Sequence, residues 1–184
     1  MDKYEFKLSL DEINALIREQ RFEEAANIAD TIDWNHVKSV KTLGRIGEVY
    51  KIVGDTGRSR DIMEIAYKRE PQNPSVVYML CELSISLYSS GALQSDLARA
   101  LQLLQEYQGL EPSNPKRLIL QYRMYDVSHV SDSEKIEVLE QLRKEQPSAR
   151  WEFELARLYA QSGQTESADQ LCTDVAEIFG GRYG

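Results

Sequence analysis

The chain has 184 residues, with 22 Lys and Arg against 30 Asp and Glu, a net charge of −8 and 42% hydrophobic residues. That apolar content excludes a disordered chain, and no apolar run approaches the roughly 18 residues a membrane span needs. The charged opening Met1-Asp2-Lys3-Tyr4-Glu5-Phe6-Lys7 has no signal-peptide segment, two cysteines make no disulfide framework, and the acidic balance argues against duplex nucleic acid. The expectation is a cytoplasmic protein with no membrane partner.

Along the chain, Ser9 or Asp11 is expected to cap the first helix, with Asp11 and Glu12 in its first turn. That leaves Tyr4-Glu5-Phe6 to cover one end of the fold. Leu16, Phe22, Ala25, Ala29 and Ile32 follow at helical spacing. Further stripes are Leu43, Ile46, Tyr50 and Val53, then Ile62, Ile65 and Ala66, then Leu97, Leu101 and Leu104. The phrases Glu70-Pro71-Gln72-Asn73-Pro74 and Glu111-Pro112-Ser113-Asn114-Pro115 share a pattern, and each reads as a tight link between two helices. Ser131-Asp132-Ser133-Glu134 reads as a helix cap, and Gly180-Gly181 after Phe179 as the stop of the last helix. With no sustained apolar/polar alternation and no hairpin turn, all-α is the only class that fits.

The helices repeat. Leu43, Ile46, Gly47, Tyr50 and Gly54 are followed by Ser59, Met63, Ala66 and Pro71. The same frame recurs at Leu80, Leu83, Ser84, Leu87 and Gly91, then Ala100, Leu104 and Pro112. It recurs again at Glu152, Leu155, Ala156, Tyr159 and Gly163, then Ala168, Cys172 and Val175. Two degenerate copies run through Leu16–Ile32 and from Leu118 through Tyr122 and Tyr125 to Leu142. This pattern resembles the tetratricopeptide repeat, whose period is about 34 residues. The resemblance covers nearly the whole chain, with small insertions near residues 71–77 and 93–97. It implies one domain over 1–184, a right-handed all-α solenoid of about five antiparallel helix pairs, over approximately 6–36, 37–73, 74–112, 113–147 and 148–179. The small residues Gly47, Ser84 and Ala156 on the first (A) helices, and Ala25, Ser59, Ala100 and Ala168 on the second (B) helices, are expected where the two lie close.

Catalytic signals are thin. His36 and His129 each fall in an inter-helix turn, where a solvated imidazole is the ordinary case. Cys81 and Cys172 sit at helical apolar positions and read as buried small hydrophobes. There is no metal-ligand spacing, phosphate loop or nucleophile motif. The expectation is therefore no enzyme, no catalytic or metal residues, no cofactor and no small-molecule substrate.

The resemblance implies partner binding on the concave surface lined by the A helices. In this frame the open positions are Lys7, Leu10, Asn14, Ile17 and Arg18; Lys41, Gly44, Glu48, Lys51 and Ile52; Tyr78, Cys81, Ile85, Tyr88 and Ser89; Lys116, Ile119, Arg123, Asp126 and Val127; and Arg150, Phe153, Arg157, Ala160 and Gln161. These 25 positions hold eight basic and two acidic residues, a net of +6 on a chain of −8. Lys41, Lys51, Lys116, Arg123, Arg150 and Arg157 are expected to attract an acidic protein or peptide segment. Tyr78, Tyr88 and Phe153 are expected to anchor its apolar side chains. The opposing reading is that these cations pair with neighbouring carboxylates, as Glu48 beside Lys51. No A helix carries the Lys and Asn, four residues apart, of the family's two-carboxylate clamp. Two alternatives to peptide binding stand beside it. One starts from the end carrying Leu171, Val175, Ile178 and Phe179, which no further helix covers: the chain is expected to be a fragment of a longer array or to self-associate there into a homo-oligomer. The other is single-stranded RNA on the basic face, which the net charge disfavours.

Overall fold

A computed structural model describes the backbone of residues 1–180 and the side chains of residues 1–164 and 166–177. The described residues form ten α-helices and one short 3-10 turn, with no strand. The contacts divide the chain into two compact units, Met1–Leu110 and Glu111–Gly184. The expected end face at Ile178 and Phe179 and the stop at Gly181 lie outside the described side chains and residues.

The first unit holds α1 (Lys3–Arg18), α2 (Phe22–Ala29), the turn Trp34–His36, α3 (Val40–Ile52), α4 (Thr56–Arg69), α5 (Pro74–Gly91) and α6 (Gln94–Leu110). The second holds α7 (Lys116–Val127), α8 (Asp132–Glu145), α9 (Ala149–Gln161) and α10 (Thr165–Gly180). Within each unit every helix packs on the next in the chain, so α2, α4 and α8 are each shared between their own A helix and the one that follows. The α-solenoid class implied by the repeat is thus the one observed.

The reversal inside each pair has one feature in common. Gln20, Gly54, Ala92, His129 and Gly163, one per A-to-B turn, all have left-handed backbone, with φ of 59°, 85°, 54°, 56° and 82°. Only Gly54 and Gly163 occupy that region without a steric penalty. In the third pair the expected turn glycine, Gly91, is still helical and the left-handed residue is Ala92. The extra residues of that pair lengthen its helices, to 18 in α5 and 17 in α6, against 13 and 14 in α3 and α4.

Caps set the helix starts. α1 begins at Lys3, not near Ser9 or Asp11 as expected, because Asp2 and Glu5 form a reciprocal capping box at the start of the chain. Tyr4-Glu5-Phe6 is therefore part of that helix; Phe6 packs edge-on against Trp34, with ring centroids 6.3 Å apart. Ser131 and Glu134 make the expected capping box of α8, and Asn73 caps α5 with Pro74 in its first turn.

Small residues decide the close approaches. Ala25, Gly47, Ser59, Ser84, Ala100, Ala156 and Ala168 are all buried. The Ser59 hydroxyl donates to the Gly47 carbonyl at 2.7 Å, and a Cβ on Gly47 would lie 2.8 Å from the Met63 sulfur. Around these contacts Ile13, Leu43, Ile46, Leu80, Leu83 and Leu103 fill the first core, and Leu118, Leu139, Leu142, Trp151 and Leu155 the second. The stripe expected on α6 is displaced: Leu101 is exposed, and Ala100, Leu103, Leu104 and Tyr107 face inward.

The turns generate a stability test. Gly54→Ala should lose about 1 kcal/mol, and Ala92→Gly should gain up to about 1 kcal/mol by relieving left-handed strain. Urea unfolding of the two variants against the wild type measures both.

Candidate partner-binding faces

The A helices are held in register by polar ties to their neighbours. The Tyr50 hydroxyl on α3 donates 2.7 Å to Asp30 at the end of α2, which also accepts from Arg58 on α4. Tyr159 on α9 makes the equivalent bond back to Glu140 on α8. Both tyrosines fill the motif position that ends the A-helix frame, so each ties its helix to the carboxylate of the preceding B helix. In the second unit Tyr122 on α7 donates 2.9 Å to Glu154 on α9. A further row of bonds, Arg60 to Asp96, Arg99 to Glu64 and Tyr67 to Glu106, joins α4 to α6.

In the first unit, Lys41 stands exposed in the first turn of α3. Lys51, in the last turn, lies 3.6 Å from Glu82 on α5. Tyr78 is half-buried, its ring edge-on to Tyr107 of α6 at 5.4 Å, and Tyr88 is half-buried near the end of α5. Two positions of the concave frame are closed, and Cys81 is the buried small hydrophobe that its apolar helical position also predicted. Cys81 and Ile85 are buried, because α5 packs against both α4 and α6 and its inward face is wider than the family frame allows. Burial pushes the Cys81 thiol up to about 12, and its Sγ lies 3.5 Å from the Ala100 carbonyl oxygen. Cys172 on α10 departs in the other sense: expected inside, it is exposed, and Leu171 and Val175 take the inward positions.

In the second unit, Lys116 is exposed at the start of α7 and Arg123 half-buried in the same helix. On α9, Arg150, Phe153 and Arg157 are all exposed and spaced three and four residues apart, so they share one helix face. The Arg150 guanidinium lies 4.7 Å over the Trp151 ring. Phe153 leaves 56% of its surface open to solvent. Arg157 bonds Glu154 at 2.8 Å and also reaches Gln161. Glu154 therefore serves Tyr122 and Arg157 together. Burial raises its carboxyl, but the bonds from Arg157 and Tyr122 outweigh this and hold it below the usual range.

The positional charge count missed the carboxylates Glu82 and Glu154, which lie beside the open positions rather than on them. Glu82 answers Lys51 and Glu154 answers Arg157, with Arg150 also within the electrostatic reach of Glu154. It also missed Arg45, which donates to Asn14 between α3 and α1. Among the described residues, no three His, Cys, Asp or Glu side chains come together as a metal site, and no helix is long and apolar enough to cross a membrane.

Burial, then the bond to Glu154, pushes the Tyr122 hydroxyl up to about 12; burial, then Glu140, does the same to Tyr159. The stability these tyrosines contribute is complete below the ordinary tyrosine value near 10 and is lost as pH rises through about 12. Tyrosinate absorbance during an alkaline titration should show late-ionising residues, and Tyr122→Phe and Tyr159→Phe should each remove one.

No protein-family model and no curated protein sequence matches the chain. Solved structures match its fold at low identity. MamA from Desulfovibrio magneticus RS-1, residues 41 to the end, superposes with a TM-score of 0.74 at 17% identity, covering 94% of this chain and 93% of that one. A thermophilic TPR protein of Thermus thermophilus gives a TM-score of 0.67 at 15% identity, with 94% and 91% covered. A tetratricopeptide repeat protein of Parabacteroides merdae gives 0.74 at 15%, with 95% and 65% covered. Capped helix pairs, small residues at the helix crossings and these structural matches agree: the chain has the tetratricopeptide-type helical-repeat fold.

Proposed function

We propose that the protein is a non-catalytic interaction scaffold that docks another protein through the exposed faces of its A helices. The observation that carries this reading is the face of α9, where the Phe153 ring stands 56% exposed with Arg150 and Arg157 on either side along the helix. An aromatic ring left in water is costly, and burying it against a partner contributes about 2 kcal/mol. Guanidiniums beside it favour a partner segment that carries acidic residues next to an apolar one. In the first unit, Lys41 offers an exposed charge of the same sign. Tyr78 and Lys51 serve internal contacts first, so they act in docking by giving part of those contacts up. Lys116, Arg123 and Tyr88 extend the candidate faces of their own units. The tetratricopeptide-type proteins similar to this chain support the scaffold reading through their fold.

The test is affinity capture from a lysate of the source cell, read by mass spectrometry, with the wild type against an Arg150→Ser, Phe153→Ser double variant. Both side chains lie on the surface, so the variant should keep its helical circular dichroism. A protein retained by the wild type and reduced about tenfold by the variant is the expected result, since an interface anchor is worth 1 kcal/mol or more, roughly tenfold at 1.4 kcal/mol. Equal capture by both would move the docking surface away from α9.

A further inference from the structure

The first unit carries an open groove of about 750 Å³ between the N-terminal ends of α1 and α3 and the connection that joins α2 to α3. Phe6, Leu10, Ile32 and Val37 supply its apolar lining, and Lys3 and Lys38 stand on its rim. The lining is held in shape from behind: Phe6 rests on the buried Trp34, whose indole N–H donates 2.9 Å to the Ala29 carbonyl. The groove has the size of a site for a few side chains.

Its charges are unequally engaged. Asp2 and Asp33 also line the groove, and each accepts from a donor of the chain itself. Asp2 accepts from the backbone N–H of Glu5. Asp33 accepts from the backbone N–H and the side-chain amide of Asn35 and lies 3.5 Å from His36. Those bonds from Asn35 hold the Asp33 carboxyl below its usual range. Lys3 and Lys38, exposed, enter no hydrogen bond or ion pair among the described residues, and the same holds for Lys41 one turn along α3. The groove thus presents apolar surface beside two ammonium groups without a partner among the described residues, while Asp2 and Asp33 keep their charge and accept from donors of the chain itself.

We propose that this groove docks a partner's peptide segment in which a large apolar side chain is flanked by carboxylates. The apolar side chain fills the space over Leu10 and Val37, and the flanking carboxylates meet Lys3 and Lys38. The inference rests on the scaffold reading but not on the α9 face, so the two sites are tested apart.

The two histidines supply the test. His36 lies on the groove, its side chain 89% exposed, and His129 lies in the other unit, in the turn between α7 and α8. Proton NMR of the two imidazoles is followed on the full chain while a synthetic peptide, Asp-Glu-Phe-Leu-Asp-Glu, is added. Its amide counterpart Asn-Gln-Phe-Leu-Asn-Gln and its serine counterpart Asp-Glu-Ser-Ser-Asp-Glu are the controls. The acidic apolar peptide should shift His36 in a saturable way and leave His129 in place; both controls should bind more weakly. A Lys3→Glu, Lys38→Glu double variant, checked by circular dichroism, should weaken the response about tenfold, as reversal of two exposed charges allows. The proposal is overturned by no His36 shift at millimolar peptide, by equal response to the amide or serine peptide, or by a variant that binds as the wild type does. A His36 shift that follows protein concentration without peptide would also overturn it, showing a second copy of the chain in the groove. None of these outcomes touches capture through α9, which the Arg150, Phe153 variant reads by itself.

Discussion

Two antiparallel helices bury a common face only if the chain reverses between them within a few residues. In each of the five pairs one residue with left-handed backbone makes that reversal. Everything else in a repeat is measured from it. The A helix must end where the turn begins, and the B helix then runs back at a distance set by the side chains at the crossing. Gly47 shows how tight that distance is, with the Ser59 hydroxyl on its carbonyl and Met63 where a Cβ would stand. A glycine suits the turn best, yet Gln20, Ala92 and His129 hold the same conformation. Packing on both sides of those turns overrides the local preference.

Stacking of one pair on the next uses a second device. Tyr50 and Tyr159 reach back from an A helix to a carboxylate of the preceding B helix, at its C-cap for Asp30 and within it for Glu140. A tyrosine does this well because its ring contributes apolar area while its hydroxyl satisfies a half-buried acid. Arginines join the same carboxylates, as Arg58 does at Asp30 and Arg143 near Glu140. Many of the half-buried charged residues are thus drawn into inter-helix ties. The α9 face with Phe153 and the groove beside Lys3 and Lys38 are two places among the described residues where exposed charge and apolar surface lie together.

This bears on how a helical repeat acquires a function. The repeat itself needs only apolar stripes, small residues and turns, which leaves the outward positions of each A helix free to vary. A site then arises from what those positions do not spend on the fold. Arg157 is half spent, on Glu154; Phe153 leaves more than half of its surface open. Tyr78, by its position on the A helix an equal candidate, is taken up by Tyr107.

The order and pairing of the helices were legible in the linear chain, because helix stripes, proline links and small residues at crossings are local signals with a fixed period. So were the α8 cap and the burial of Gly47, Ser84 and Ala156. Side-chain exposure on the A helices was less legible. Cys81 and Ile85 turned inward because α5 is longer and is packed from two sides, and Cys172 turned outward because Leu171 and Val175 took the inner positions. The pairing of Lys51 with Glu82, of Tyr122 with Glu154 and of Arg45 with Asn14 joins residues about thirty apart. No local period encodes which neighbour a long polar side chain will meet. Periodicity alone therefore determined the repeat, while the approach of one helix to the next decided which charges were consumed in holding it and which were left for a partner.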